Sequence, residues 1–270
     1  SIAICKDYGL GEFRSNQVIL VGYEDFNFVL ETSKGKYVVK IFASFRNNED
    51  CGRYIQVMEK AMEAKIRTPP LLRSNQGLLY ITRVNKSELR LCVMEFIYGK
   101  TLFELKEKPS KDEIKFLAYQ ASLINSINLK PKFVYDEWAI TNFLKEFDKK
   151  SKSLSPQDLK MIKPLVKKFK ELEINNLPPC FVHGDIIATN VMKDNKNTLW
   201  IIDFAVSNYY PRIQEIAVLA CNLFFDENNG NKSKENLEIA LKEYQKVIPL
   251  TTAELEALPV AQSYHPKLLG

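Results

Sequence analysis

The chain has 270 residues, 46% of them hydrophobic and 26% charged, the proportions of an ordinary folded protein and enough for one large domain or two lobes. Its 38 basic and 33 acidic residues leave a formal charge of +5, too small an excess to mark a nucleic-acid-binding surface. Five scattered cysteines and two histidines lack the spacing of a zinc site or a disulfide framework and suit a reducing, cytoplasmic setting.

No apolar run approaches the ~20 residues of a membrane helix, and the first residues lack the basic-then-apolar order of a signal segment. Residues 17–42 read as strands: Val18 to Val21, then Phe26, Phe28, Val29 and Leu30, then Tyr37, Val38, Val39 and Ile41, with a hairpin turn at 33–36. Over 47–66, Tyr54, Ile55, Val57, Met58, Ala61 and Met62 recur at helical spacing until Thr68-Pro69-Pro70 stops them. Strands follow at 78–82 and 89–96.

Helical rhythm then dominates at 112–128, 138–149 and 156–172, with Ser110 placed to cap the first. The lysine-rich stretch 145–170 interleaves its charges with Phe147, Leu159, Ile162, Val166 and Phe169, the pattern of solvated helix faces. Strands first and helices afterwards predict an α+β fold, with a small antiparallel-sheet lobe over 1–98 and a larger, mostly helical lobe over 99–270.

One island interrupts the helical half. Cys180-Phe181-Val182 leads into His183-Gly184-Asp185, Asn190 follows five residues after Asp185, and Leu199 to Ile202 leads into Asp203. Two short β segments thus deliver two carboxylates and an amide, the oxygen ligands and the base that phosphoryl transfer needs.

The segments 181–190 and 201–204, Phe-Val-His-Gly-Asp-Ile-Ile-Ala-Thr-Asn and Ile-Ile-Asp-Phe, resemble the catalytic and metal-binding segments of the superfamily of aminoglycoside phosphotransferases, choline kinases and homoserine kinases. The resemblance covers roughly 8–244 and implies a two-lobed, protein-kinase-like fold. It implies an ATP- and Mg2+-dependent enzyme that phosphorylates the hydroxyl of a small molecule. Asp185 would receive or orient the hydroxyl proton, His183 would brace the loop, and Asn190 and Asp203 would hold Mg2+. Lys40 on the third strand would reach the phosphates, with Gly22 and Asn27 in the nucleotide loop. A helix carboxylate, Glu59 or Glu49 with Glu63 also open, would anchor Lys40. Backbone groups of Glu95 and Ile97 would pair with adenine.

Departures from the family's pattern are Ala205 after Asp203-Phe204, Ile187 where a polar residue is common, and Glu215 in place of an aspartate. Glu215 is expected to tie the catalytic loop. Relatives usually carry further helices that complete the acceptor pocket, so this chain is expected to be a minimal or trimmed form. Asp136 and Trp138, within an aromatic and acidic stretch at 133–138, suit an amine-bearing alcohol, and Tyr209 and Arg212 stand close behind the metal-binding strand. Arg212 is equally placed to pair with Glu215. Homoserine-like amino alcohols and aminoglycoside-like amino sugars remain open as acceptors. A catalytically idle nucleotide-binding module is the alternative from another class, and neither nucleic acid nor membrane is expected as a partner.

Overall fold

The computed structural model describes residues 1–20 and 25–262. They divide into two compact units, one of 1–20 and 25–99 with 194–202, the other of 100–193 with 203–262.

The first unit is built on a five-stranded antiparallel sheet. Its elements are α1 (Ile2–Asp7), β1 (Phe13–Ile19), β2 (Phe26–Thr32), β3 (Gly35–Ile41), α2 (Asn48–Glu63), β4 (Tyr80–Val84) and β5 (Ser87–Glu95), with strand order β1-β2-β3-β5-β4. The β2–β3 hairpin closes at Thr32↔Gly35, and Gly35 takes φ 146°, a turn position that a side chain would strain. Alternation then turns Phe28, Leu30, Val39, Leu91 and Val93 into one core, covered by Ile4 and Cys5 of α1 and by Tyr8 just after it. That opening helix carries too few residues for its periodicity to be legible. α2 starts where Asn47 and Asp50 form reciprocal caps, Asp50 N–H donating to Asn47 Oδ1 at 2.9 Å and Asn47 N–H to Asp50 Oδ2 at 3.3 Å.

The rest of the chain holds β6 (Gly99–Thr101), α3 (Leu102–Leu105), α4 (Lys111–Asn125), α5 (Phe143–Lys150), α6 (Pro156–Glu171), β7 (Pro179–Val182), β8 (Val191–Asp194), β9 (Leu199–Ile201), β10 (Asn208–Pro211), α7 (Ile213–Leu219), α8 (Gly230–Tyr244) and α9 (Thr252–Gln262). Ser110 does cap α4, with Glu113 returning the bond, and the helix buries Ile114, Leu117, Ala118, Ala121 and Ile124 at 3–4-residue intervals. Each fully buried leucine or isoleucine side chain among these contributes about 1.5–3 kcal/mol. In the lysine-rich stretch, α6 buries Ile162, Val166 and Phe169 and leaves its lysines outward.

Two expectations need correction. Helix α5 begins at Phe143 and not at 138, because Asp136 organises a turn there: its Oδ1 accepts from Trp138 N–H (2.9 Å) and its carbonyl from Asn142 Nδ2 (2.7 Å). A single cut at 98/99 also misses that 194–202 belongs to the first unit. There Asn195 N–H donates to the Tyr98 carbonyl and Ile201 N–H to that of Arg67, whose guanidinium lies 5.9 Å from the Trp200 ring centre. Among the described residues no helix is long and apolar enough to cross a membrane.

Candidate active site

In the second unit β10 pairs antiparallel with β7, Asn208 opposite Val182 and Tyr210 opposite Cys180. The residues after Asp203 therefore run beside those that lead into His183. Gly184 takes φ 85° and a Cβ there would stand 3.5 Å from Gln214 Nε2, so a side chain would be strained by the backbone alone. The next residues close on themselves. The Asp185 carbonyl accepts from Ile187 N–H and Asn190 Nδ2, both at 3.0 Å, and Asp185 Oδ2 accepts from Asn190 Nδ2 at 2.7 Å. His183 is fully buried, its ring centre 4.4 Å from that of Phe204, and its Nδ1 accepts from Asp185 N–H at 3.2 Å. The loop between 183 and 190 is thus held from within.

Asp203 lies in the left-handed region with φ 64°, a conformation that costs a non-glycine residue about 1–3 kcal/mol and is concentrated at functional sites. It is exposed, and its Oδ1 accepts from Ala205 N–H at 3.3 Å. Asn208 brings a third carboxylate near: its Oδ1 accepts from Val134 N–H (3.2 Å) and its Nδ2 donates to the Val134 carbonyl (2.7 Å), fixing the segment that carries Asp136. Burial raises the carboxyl of Asp136. The carboxyl of Asp185 is pushed up to about 7, by burial first and then by the charges of Asp203 and Asp136, against the Asn190 N–H that favours ionisation. No three His, Cys, Asp or Glu residues among those described can hold a metal ion unaided. A cation drawn by this negative potential would need further oxygens from water or a phosphate.

Glu215, fully buried on α7, ties the loop. Its Oε2 accepts from His183 N–H at 2.7 Å, Gly184 N–H at 3.4 Å and Asn125 Nδ2 at 3.5 Å. Arg212 neither pairs with Glu215 nor stands open for a ligand: its Nε and a terminal nitrogen grip both oxygens of buried Glu254 at 2.6 and 2.7 Å. The physical reason is α9, whose first turn presents Glu254 already held by Thr251 N–H and Oγ1. Nothing in the sequence between these two residues, 42 positions apart, signals that match. Trp138 and Tyr209 are half-exposed, with Lys150 Nζ 5.1 Å and Lys130 Nζ 5.3 Å from their ring centres.

In the first unit Lys40 is buried and its Nζ lies 2.9 Å from Asp25 Oδ2. Asp25 Oδ1 accepts from Ala43 N–H (3.0 Å) and Arg46 Nε (3.1 Å). Burial works to raise the Asp25 carboxyl, but Lys40, the Ala43 amide and Arg46 together hold it below its ordinary value. Neither Glu59 nor Glu49 is the partner of Lys40. Glu59 pairs with Arg73 (2.9 Å), Glu63 with Lys60 (2.6 Å), and Glu49 lies in the first turn of α2. The hairpin register decides this: Phe26 faces Ile41 and Asn27 faces Lys40, which makes Asp25 the diagonal neighbour of Lys40 on the same face. That neighbour is readable from the 33–34 turn by counting back along both strands, a strand signal and not a helix one. Gly22 lies outside the described residues. Glu95 donates its N–H to the Pro70 carbonyl at 3.0 Å, and the Ile97 carbonyl accepts from Gly99 N–H at 3.0 Å.

The phosphotransferase enzyme family model matches residues 16–250. The chain belongs to that family and is an enzyme, a small-molecule phosphotransferase of two-lobed, protein-kinase-like α+β fold. A homoserine kinase of Agrobacterium fabrum is 24% identical over 258 residues, spanning 94% of this chain and 77% of the relative. Among solved structures, amicoumacin kinase hAmiN, in complex with AMP-PNP, Ca2+ and Ami, superposes with TM-score 0.71 at 18% identity over 98% of this chain and 83% of its own. A microcompartment-associated aminopropanol kinase does so with TM-score 0.65 at 13% identity, over 100% and 87%. At these identities the structural likeness carries the fold.

Proposed function

We propose that this enzyme transfers the γ-phosphoryl group of ATP to the hydroxyl of a small amine-bearing alcohol, with Mg2+ as the metal. The carrying observation is the Asp185 carboxylate, pinned by Asn190 and raised to about 7 by burial beside Asp203 and Asp136. A carboxylate fixed by Asn190 at the end of the 183–185 segment can receive or orient a hydroxyl proton. Asn190 spends its amide nitrogen on Asp185, which leaves the amide oxygen for a metal, and exposed Asp203 offers a second hard ligand. Two protein oxygens completed by phosphate and water suit Mg2+. The bound metal would neutralise the phosphate charge that develops during transfer.

Lys40 is proposed to contact the non-transferred phosphates, and Asp25 to hold its ammonium in place. Adenine would meet the main chain at 95–97. Glu95 has committed its N–H to Pro70, so its carbonyl is the group we assign to the amino group of the base. For the acceptor, homoserine-like and aminopropanol-like amino alcohols fit the relatives' names, and buried Asp136 supplies an anion for the amine. Trp138 and Tyr209 could only shape the outer rim. The free state of all five cysteines supports a cytoplasmic setting.

The test is phosphate transfer from Mg-ATP across amino alcohols and amino sugars, with release of ADP coupled to a phosphorylated product. One accepted alcohol whose turnover needs Asp185 is the expected result. Binding of ATP with no transfer to any alcohol would favour the idle module. Lys40→Met is expected to raise KM for ATP about 10–100-fold, the loss of one desolvated cation on phosphate at about 1.5–3 kcal/mol. Asp25→Asn should reproduce part of that rise, read in the same initial-rate assay.

A further inference from the structure

The anchor of the 183–185 loop does not end at Glu215. Tyr244, fully buried at the end of α8, donates its O–H to Asn125 Oδ1 at 2.7 Å. Asn125, buried at the end of α4, donates Nδ2 to the Phe181 carbonyl at 2.9 Å and to Glu215 Oε2 at 3.5 Å. That same Oε2 receives the amides of His183 and Gly184, while Oε1 has no hydrogen-bond partner among the described residues. The carboxylate therefore works through one oxygen, and any rotation of it moves both loop amides.

An asparagine amide has two ends of nearly equal size, so its neighbours must decide which end faces Glu215. The Phe181 carbonyl and the Glu215 carboxylate are both acceptors, and only Nδ2 satisfies them. The Tyr244 hydroxyl gives Oδ1 its donor on the other side. The Asn125 amide and the Tyr244 hydroxyl then have one compatible assignment, and buried networks of this kind favour a single geometry. Reversing the amide would set an oxygen against a carboxylate one step from Asp185.

We propose that Asn125 and Tyr244 are positioning residues of the phosphotransfer reaction, setting the 183–185 loop through Glu215 from within the core of the second unit. Neither touches a reacting atom. The inference rests on the phosphotransfer reading above, and its test is chosen to separate the two.

Wild type, Tyr244→Phe, Asn125→Leu and the double variant are compared as full-length proteins. Two readouts are taken: kcat and KM for Mg-ATP, and hydrogen–deuterium exchange of the peptide that spans His183 and Gly184. Tyr244→Phe keeps the ring and removes one buried hydrogen bond, so kcat should fall about fivefold with KM for ATP within about twofold, because the nucleotide's proposed contacts are elsewhere. Asn125→Leu should lower kcat further, and Tyr244→Phe should add nothing to it, since both cut one chain. Exchange at the two amides should quicken in every variant.

Unchanged kcat and unchanged exchange in folded Tyr244→Phe would overturn the proposal. So would losses that multiply in the double variant, or that fall on KM as much as on kcat. If the wild type transfers no phosphate, the phosphotransfer reading fails and this role fails with it. Quickened exchange would then mark only a structural tie.

Discussion

Replacing Asp185 by asparagine is expected to lower kcat by about 10²–10⁴ and, at the same time, to make the protein more stable. Asn190 can still donate to the asparagine oxygen that replaces Asp185 Oδ2, so the loop keeps its closure. What disappears is a carboxylate that folding raises from 3.8 to about 7 by withdrawing it from water and setting it beside Asp203 and Asp136. Below the ordinary value both folded and unfolded chains hold the proton, and the group contributes nothing to the pH dependence. Between 3.8 and about 7 the unfolded chain has ionised while the folded chain still binds its proton, so stability falls as pH rises. Above that window the whole cost is present, bounded at about 4 kcal/mol.

The gain in Tm for Asp185→Asn should therefore be several degrees at pH 8, at a few degrees per kcal/mol, and should vanish near pH 4. Thermal unfolding at the two pH values, beside initial rates, measures both halves. An unchanged Tm at pH 8 would mean that the three carboxylates do not strain one another. Retention of more than a tenth of the wild-type kcat would remove Asp185 from the reaction. Stability given up at a site that must hold charge in readiness is the expected trade between folding and activity.

How much of this was legible in the sequence depends on the range of the contact. The 33–34 turn, the α4 cap at Ser110 and the burial rhythm of α2 and α4 are local, and propensity with periodicity carries them. The spacing of Asp185, Asn190 and Asp203 is also local, because one loop and one hairpin set it. Lys40 sits on its strand as the pattern requires, and its partner Asp25 follows from counting the hairpin register. Arg212 with Glu254 and Tyr244 with Asn125 are different in kind. These pairs join residues 42 and 119 positions apart, and no local pattern around either residue names the other. The positive φ of Asp203 is likewise outside any local pattern, since aspartate enters that region only occasionally.

Glu215 allows charge to be separated from hydrogen bonding. Glu215→Ala leaves the amides of His183 and Gly184 and the Asn125 side chain without their acceptor, and each buried orphan costs about 1–3 kcal/mol. A fall in kcat of at least about 100-fold and a lowered Tm are expected. Glu215→Gln keeps an oxygen where Oε2 stands, so it should retain most of the kcat that alanine loses, although its amide nitrogen, standing where Oε1 has no partner among the described residues, costs some stability. The two variants should also differ in their response to pH. Burial raises the Glu215 carboxyl to about 7 against the opposing amides of His183 and Gly184, with Asp185 adding to the rise. Between 4.5 and about 7 the wild type thus loses stability as pH rises, because the unfolded chain releases a proton that the folded chain keeps. Glutamine has no proton to release, and its Tm should fall less steeply across that window. A glutamine variant as inactive as alanine, with wild-type pH dependence of Tm, would show that the loop depends on the negative charge of Glu215 and not on the single oxygen through which it holds His183 and Gly184.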